Sequence, residues 1–188
     1  VTAWLWFANT LMKAMLSVRR ETNLMLQVYV PKYVFPLSSV LFGLFKHVFV
    51  IAVLMGLLVY LESPSPTWFY FPLIFLVQLL LITGCAVLIA AVVPFVPDLA
   101  LVIAPLLQMG MFFSGVFYSI DWIPAAYQSW FKLNPMAGLI MEYRKLILDA
   151  ESPDLVYLAG VAVVSMLVLG LGLWILKKFD CIYPRLTN

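Results

Sequence analysis

Residues 68–93 and residues 155–176 contain no Asp, Glu, Lys, Arg or His. An α-helix rises about 1.5 Å per residue, so about 20 apolar residues cross a hydrocarbon core of about 30 Å. Both stretches pass that length, and the chain is therefore integral to a membrane. Hydrophobic residues make up 65% of it and charged residues 11%, against about 25% charged in a soluble globular chain. The fold class that follows is all-α, a polytopic transmembrane helix bundle.

The remaining apolar stretches set the organisation. Residues 1–17 are apolar apart from Asn9, Thr10 and Lys13. They read as the end of a first transmembrane helix whose earlier part precedes residue 1, with no cleavable signal pattern. A polar stretch follows at residues 17–23, and Pro31 and Pro36 interrupt helical continuity after it. The next apolar run, residues 34–61, holds Lys46 and His47. A lysine at the bilayer centre costs about 2.5–3.5 kcal/mol, so Lys46 is expected near the cytoplasmic interface, snorkelling. His47 has no second ligand nearby and reads as a polar helix-end residue. Residues 62–67 form a turn, and residues 94–98 form a sharp connection at Pro94 and Pro97. Residues 99–120 make a fourth span weakened by Pro105, Gln108 and Gly110, and Lys177-Lys178 closes the last one. Five apolar spans, the first incomplete, form one transmembrane domain over residues 1–188.

Charge orients the bundle. Lys13, Arg19, Arg20, Lys32, Lys46, Lys177, Lys178 and Arg185 fall on one side if four spans separate the two groups. The other side has Lys132, Arg144 and Lys145 against Glu62, Asp121, Glu142, Asp149, Glu151 and Asp154. By the positive-inside rule the basic side is cytoplasmic, and residues 121–154 face outward. Within that outward segment, Asn134-Pro135 has the chemistry of a helix start, with Asn as cap and Pro in the first turn. Residues 124–133 read as a second short helix. Neither is long enough to span, and they either lie flat in the headgroup region or dip into the membrane. Glu142 and Arg144 are two apart and do not face each other on one helix, so each is expected to pair with another element or subunit.

Aromatic residues mark two places. Trp68, Phe69, Tyr70 and Phe71 sit at the outer boundary, where an aromatic belt anchors helices to headgroups. Phe112, Phe113, Phe117, Tyr118, Trp122, Tyr127, Trp130 and Phe131 are denser than a belt needs. They read either as core packing or as a path whose ring faces touch passing sugars.

Several functions are excluded by what is missing. There is no G-x-x-x-x-G-K-[ST] phosphate loop, no His/Asp/Glu cluster of a membrane hydrolase, and no carboxylate deep in a span to relay protons or sodium. A net charge of +2 gives no reason to invoke nucleic acid. Cys85 lies inside a span and Cys181 beyond the last one, so a disulfide between them is not expected, nor is a metal site. The chain is not read as an enzyme, and transport through it needs an external source of energy.

Three segments, in order, resemble the permease subunits of type-2 ABC exporters, particularly those of polysaccharides and polyol phosphates. The first is Trp6-Phe7-Ala8-Asn9, then Asn23-Leu24, Tyr29-Val30-Pro31 and Phe35-Pro36-Leu37. The second is Phe112-Phe113-Ser114-Gly115-Val116-Phe117-Tyr118 with Ile123-Pro124. The third is Leu133-Asn134-Pro135-Met136 with Glu142-Tyr143-Arg144. Phe95-Val96-Pro97-Asp98 stands where that family has an F-x-R-D turn, without the arginine, and the family's N-terminal amphipathic helix and first span have no counterpart here.

The resemblance implies a half-transporter in the cytoplasmic (inner) membrane of a bacterium. A second copy of the chain would complete the channel, and two ATP-binding subunits would drive it. ATP and Mg²⁺ would bind those partners, with no cofactor on this chain. The cargo would be a lipid-linked polysaccharide or polyol-phosphate polymer; a drug or lipid exporter and a non-transporting scaffold are the alternatives. It further implies ATPase docking through Arg19, Arg20, Asn23, Leu24, Val28 and Pro31. A translocation path and outer gate would be built from Phe112, Phe113, Phe117, Tyr118, Trp122, Asn134, Pro135, Glu142 and Arg144.

Overall fold

A computed structural model describes residues 1–20, 31–61, 65–118, 122–124, 127–128, 131 and 133–179. Among them are six α-helices and no strand: α1 (Thr2–Arg20), α2 (Val34–Leu61), α3 (Phe71–Val92), α4 (Leu99–Phe113), α5 (Pro135–Leu148) and α6 (Leu155–Lys178). A 3-10 turn, Pro66–Tyr70, leads into α3. Three segments are long and apolar enough to cross a membrane by length and composition: Val34–Leu61, Pro66–Val92 and Leu155–Lys178. α1 has 19 residues but carries Asn9, Thr10, Lys13 and Ser17. α4 has 15 residues, a rise of about 22 Å.

α3 is the axis of the bundle, packed against α6, α1, α2 and α5. Its contact with α6 is made by small residues. A Cβ on Gly84 would stand 2.8 Å from the Ser165 carbonyl oxygen, and one on Gly172 would stand 2.8 Å from the Leu88 amide nitrogen. Backbone therefore lies on backbone, the arrangement that gives helices in lipid their van der Waals attraction. Around it, Val87, Ala90, Ala91 and Leu176 are buried with Phe35 at one end, and Ile74, Leu158 and Val161 at the other. α1 is tied to the axis by Gln78, which is fully buried and donates from Nε2 to the Ala3 carbonyl at 2.9 Å.

α2 buries only a stripe, Phe35, Pro36, Val40 and His47, with Pro36, Val40 and His47 at the four- and seven-residue intervals of one helix face. Leu41, Phe45, Phe49, Val53 and Leu57 are exposed. For a helix in hydrocarbon, an apolar exterior is the stable arrangement.

The basic helix ends come together. Phe35, at the start of α2, shares a cluster with Leu176, near the end of α6. The Phe95 and Phe179 rings meet edge to face at 5.1 Å beyond α3 and α6. Lys32, Lys177 and Lys178 lie at this basic end, and α1 ends there at Arg20.

Two expectations are corrected. His47 is the fourteenth residue of the 28-residue α2, next to Lys46, so it does not sit at a helix end. The Lys46 ammonium is 5.6 Å from the centre of the Phe42 ring, and His47 is buried against Trp6 at a ring separation of 4.3 Å. Local partners hold both in mid-helix, which a hydropathy argument does not register. The fourth apolar run leaves the helix at Phe113 rather than continuing to residue 120. Gly115 adopts a left-handed φ of +63° there, a conformation glycine reaches without a Cβ penalty.

Gly84→Ala and Gly172→Ala should each lower the detergent unfolding temperature, since overpacking against backbone costs about 1–3 kcal/mol. Gly160→Ala and Gly170→Ala, where a Cβ meets open space, should not. Equal behaviour of the two pairs would show that the α3–α6 contact is not close-packed.

Candidate functional site

At the end of the bundle opposite the lysines, α5 is joined to its neighbours by three polar side chains. Asn134 caps it, accepting at Oδ1 from the amides of Met136 at 3.1 Å and Ala137 at 3.4 Å. Its Nδ2 donates to Ser114 Oγ at 3.0 Å, just past α4. Pro135 occupies the first turn, where its missing amide is no loss. Arg144 donates from Nη2 to the Val116 carbonyl at 2.9 Å and from Nη1 to the Tyr118 carbonyl. The segment leaving α4 is thus held alongside α5. Glu142 accepts from the Asp154 amide at 2.9 Å and from Lys145 Nζ at 2.8 Å. Asp154 in turn caps α6 through the amides of Val156 and Tyr157.

One face of α5 is apolar and packed. Met136, Leu139, Ile140, Tyr143 and Leu146 are buried with Ile74, Val77 and Leu81 of α3. Gly138 lets the Tyr157 ring lie across the helix, since a Cβ there would overlap the phenol. Tyr143 packs on Phe71 at 5.4 Å, and burial pushes its phenol above the ordinary tyrosine range. It remains a neutral hydroxyl, and among the described residues its oxygen has no hydrogen-bond partner.

The aromatic residues past α4 do not enter the core. Phe112, Phe113 and Phe117 are exposed and Trp122 is 83% exposed, which sets aside core packing for these four. Phe112 and Phe117 are 5.6 Å apart, and Tyr118 and Phe131 6.1 Å. Phe117 and Tyr118 belong to the Arg144-bound segment, so each ring pair has one member on it. Trp130 and half of the second short helix fall outside the described residues, as do Asn23, Leu24 and Val28. Arg19 and Arg20 end α1, and the Pro31 carbonyl accepts from the Val34 amide at 3.0 Å as α2 begins.

The expectation that Glu142 and Arg144 find separate partners agrees with this geometry, although Glu142 also pairs with Lys145 on its own helix. Three participants escaped the sequence reading. Ser114 and Tyr157 carry no local signature. Asp154 does carry one, an Asp immediately before an apolar run. No group of three His, Cys, Asp or Glu able to hold a metal occurs among the described residues.

Comparison with known proteins was made against this geometry. The family model described as ABC-2 type transporter matches residues 1–148. An O-antigen export system permease protein RfbA of Klebsiella pneumoniae is 24% identical over 94% of this chain and 69% of its own length. A protein of the same name from Myxococcus xanthus is 28% identical over 88% of this chain and 65% of its own length. The chain thus spans about two-thirds of the relatives it matches.

Arg144→Ala should destabilise this end, because two carbonyls lose their donor and an unsatisfied buried group costs about 1–3 kcal/mol. Lys145→Ala removes a half-exposed pair contributing about 0–1 kcal/mol. Thermal unfolding and proteolysis after Gly115 should both be affected more by the first substitution; equal effects would argue that the Arg144 contacts do not hold the segment.

Proposed function

We propose that this chain, which belongs to the ABC-2 type transporter family, is the membrane subunit of an exporter of a lipid-linked polysaccharide or polyol-phosphate polymer. The observation that carries the reading is similarity, over nearly all of the chain, to permeases named for O-antigen export. The exposed rings of Phe112, Phe113, Phe117 and Trp122 support it, since aromatic faces suit the apolar faces of sugar rings.

In this reading α1 and α4 complete five spans with the three long apolar segments, and the basic end faces the cytoplasm of a bacterial inner membrane. α5 and the segment bound to Arg144 form the outer gate. They can shift as a unit because their polar links run to one another and to helix ends. A second copy of the chain completes the path. Two ATPase subunits, which carry ATP and Mg²⁺, dock at the end of α1 and through Asn23, Leu24, Val28 and Pro31.

Deleting the gene in its host should lower surface glycan and cause lipid-linked glycan to accumulate inside. Arg144→Ala should reproduce most of that loss at normal membrane levels, and Lys145→Ala little of it. Normal surface glycan in the deletion strain would overturn the reading. Leu24→Asp should reduce ATPase co-purification from detergent while leaving insertion intact; undiminished co-purification would remove that segment from the docking surface.

A further inference from the structure

The strongest feature outside the α5 region is a largely apolar cleft of about 400 Å³ between α1 and α2 into which several polar side chains project. Its walls include Trp6, Asn9, Thr10 and Lys13 from α1 and Lys46 and His47 from α2. On α1 these residues recur at three- and four-residue intervals, so they form one facing stripe. Gly43 lets the helices approach, since a Cβ there would press on Thr10 Oγ1 and stand 3.4 Å from Trp6 Nε1.

Lys13 and Lys46 lie on opposite sides of the cleft, with their ammonium groups 4.4 Å and 5.6 Å from the centre of the same Phe42 ring. Neither has an acidic partner among the described residues. The described acidic residues, Asp98, Glu142, Asp149, Glu151 and Asp154, all lie outside α1, α2, α3 and α6. Trp6 is buried and stacks against the His47 and Phe75 rings, at 4.3 Å and 5.0 Å. Its indole Nε1–H is buried and has no acceptor. Two cations, an indole donor, an amide and a hydroxyl therefore line one space that no described acidic residue borders. Ionisable residues within spans are rare and line ligand or ion pathways.

We propose that this cleft binds the phosphate or diphosphate group of a lipid. A multi-oxygen anion satisfies two ammonium groups and several neutral donors at once, and lysine serves phosphate as a point charge. The ligand is lipid-borne because the cleft lies midway along an apolar helix, beside the exposed Leu41, Phe45 and Phe49. A hydrocarbon tail lies against those side chains while the head group enters sideways. A second cavity of about 220 Å³ shares Thr2 and His47 with the cleft and is bordered by Tyr143 and Arg144. It continues the cleft toward α5. Two sources carry this chemistry: the polyprenyl carrier of an exported glycan, which rests on the export reading above, and an anionic phospholipid, which does not.

The test uses the chain purified with its ATPase subunits in phosphatidylcholine nanodiscs, with radiolabelled undecaprenyl diphosphate as the probe. Lys13→Met/Lys46→Met should reduce retained label about tenfold or more, and Lys13→Arg/Lys46→Arg should keep most of it. Trp6→Phe, which keeps the ring stack and removes the donor, should weaken retention severalfold. Phosphatidylglycerol competing as well as undecaprenyl diphosphate assigns the site to phospholipid; failure of phosphatidylglycerol to compete assigns it to the carrier. Undiminished label in the Met double variant overturns the proposal. So does loss of subunit assembly with unchanged label per assembled complex, which would make the lysines a subunit contact. Glycan export measured in parallel separates the two readings. Export lost with label unchanged in the Met double variant removes the cleft and leaves the exporter; label lost in that variant, together with normal surface glycan in the deletion strain, removes the exporter and leaves the cleft.

Discussion

The backbone-to-backbone approach of α3 and α6 at Gly84 and Gly172 is the contact on which the other packing depends. In water, apolar burial would draw these helices together. In hydrocarbon that force is absent, and attraction comes from close van der Waals fit and from interhelical hydrogen bonds. The first is supplied by the glycines. The second appears where Gln78 reaches the Ala3 carbonyl and draws α1 onto the same axis. α2 then needs only its narrow stripe against α1 and α3, and α5 only the first turns of α3. The exposed side chains of α2 and α6 are a consequence of the same solvent, with hydrocarbon taking the place of a second layer of protein.

Polar groups at the α5 end follow a different rule. Arg144 meets two carbonyl oxygens, Asn134 meets amides and a hydroxyl, and Glu142 meets an amide as well as Lys145. Most of these partners are backbone, so the network orders irregular chain that could not otherwise satisfy its hydrogen bonds in a low-dielectric setting. The Lys13–Lys46 cleft is the opposite case, because its two lysines have no acidic partner among the described residues. One region closes its polar groups on its own chain, and the other leaves two ammonium groups against an aromatic ring.

That contrast explains what could be read from residues alone. Residues 34–61 became α2 with the same boundaries, and residues 155–176 became α6 with two more, because uninterrupted apolar runs leave little freedom. Asn134-Pro135 marks the start of α5 because capping chemistry is local. The Arg144 contacts were not legible, since carbonyl acceptors have no residue signature. The mid-helix position of His47 was misread because averaged hydropathy puts polar residues at helix ends, whereas here the Trp6 ring covers it. Ser114-Gly115 was a readable stop that a continuous apolar count passed over.

The six residues from Asp149 to Asp154 are exposed over most of their length, and surface connections generally tolerate insertions and deletions. This one carries three fixed points. The Glu151 amide bonds the Lys145 carbonyl at 3.1 Å across a left-handed Ala150, with φ +52°. The Asp154 amide reaches Glu142, and the Asp154 carboxylate caps α6. Adding or removing one residue would put both helix ends out of phase with their caps. Length variation among related chains should therefore spare this connection, making its residue count a more durable family marker than the identity of its side chains.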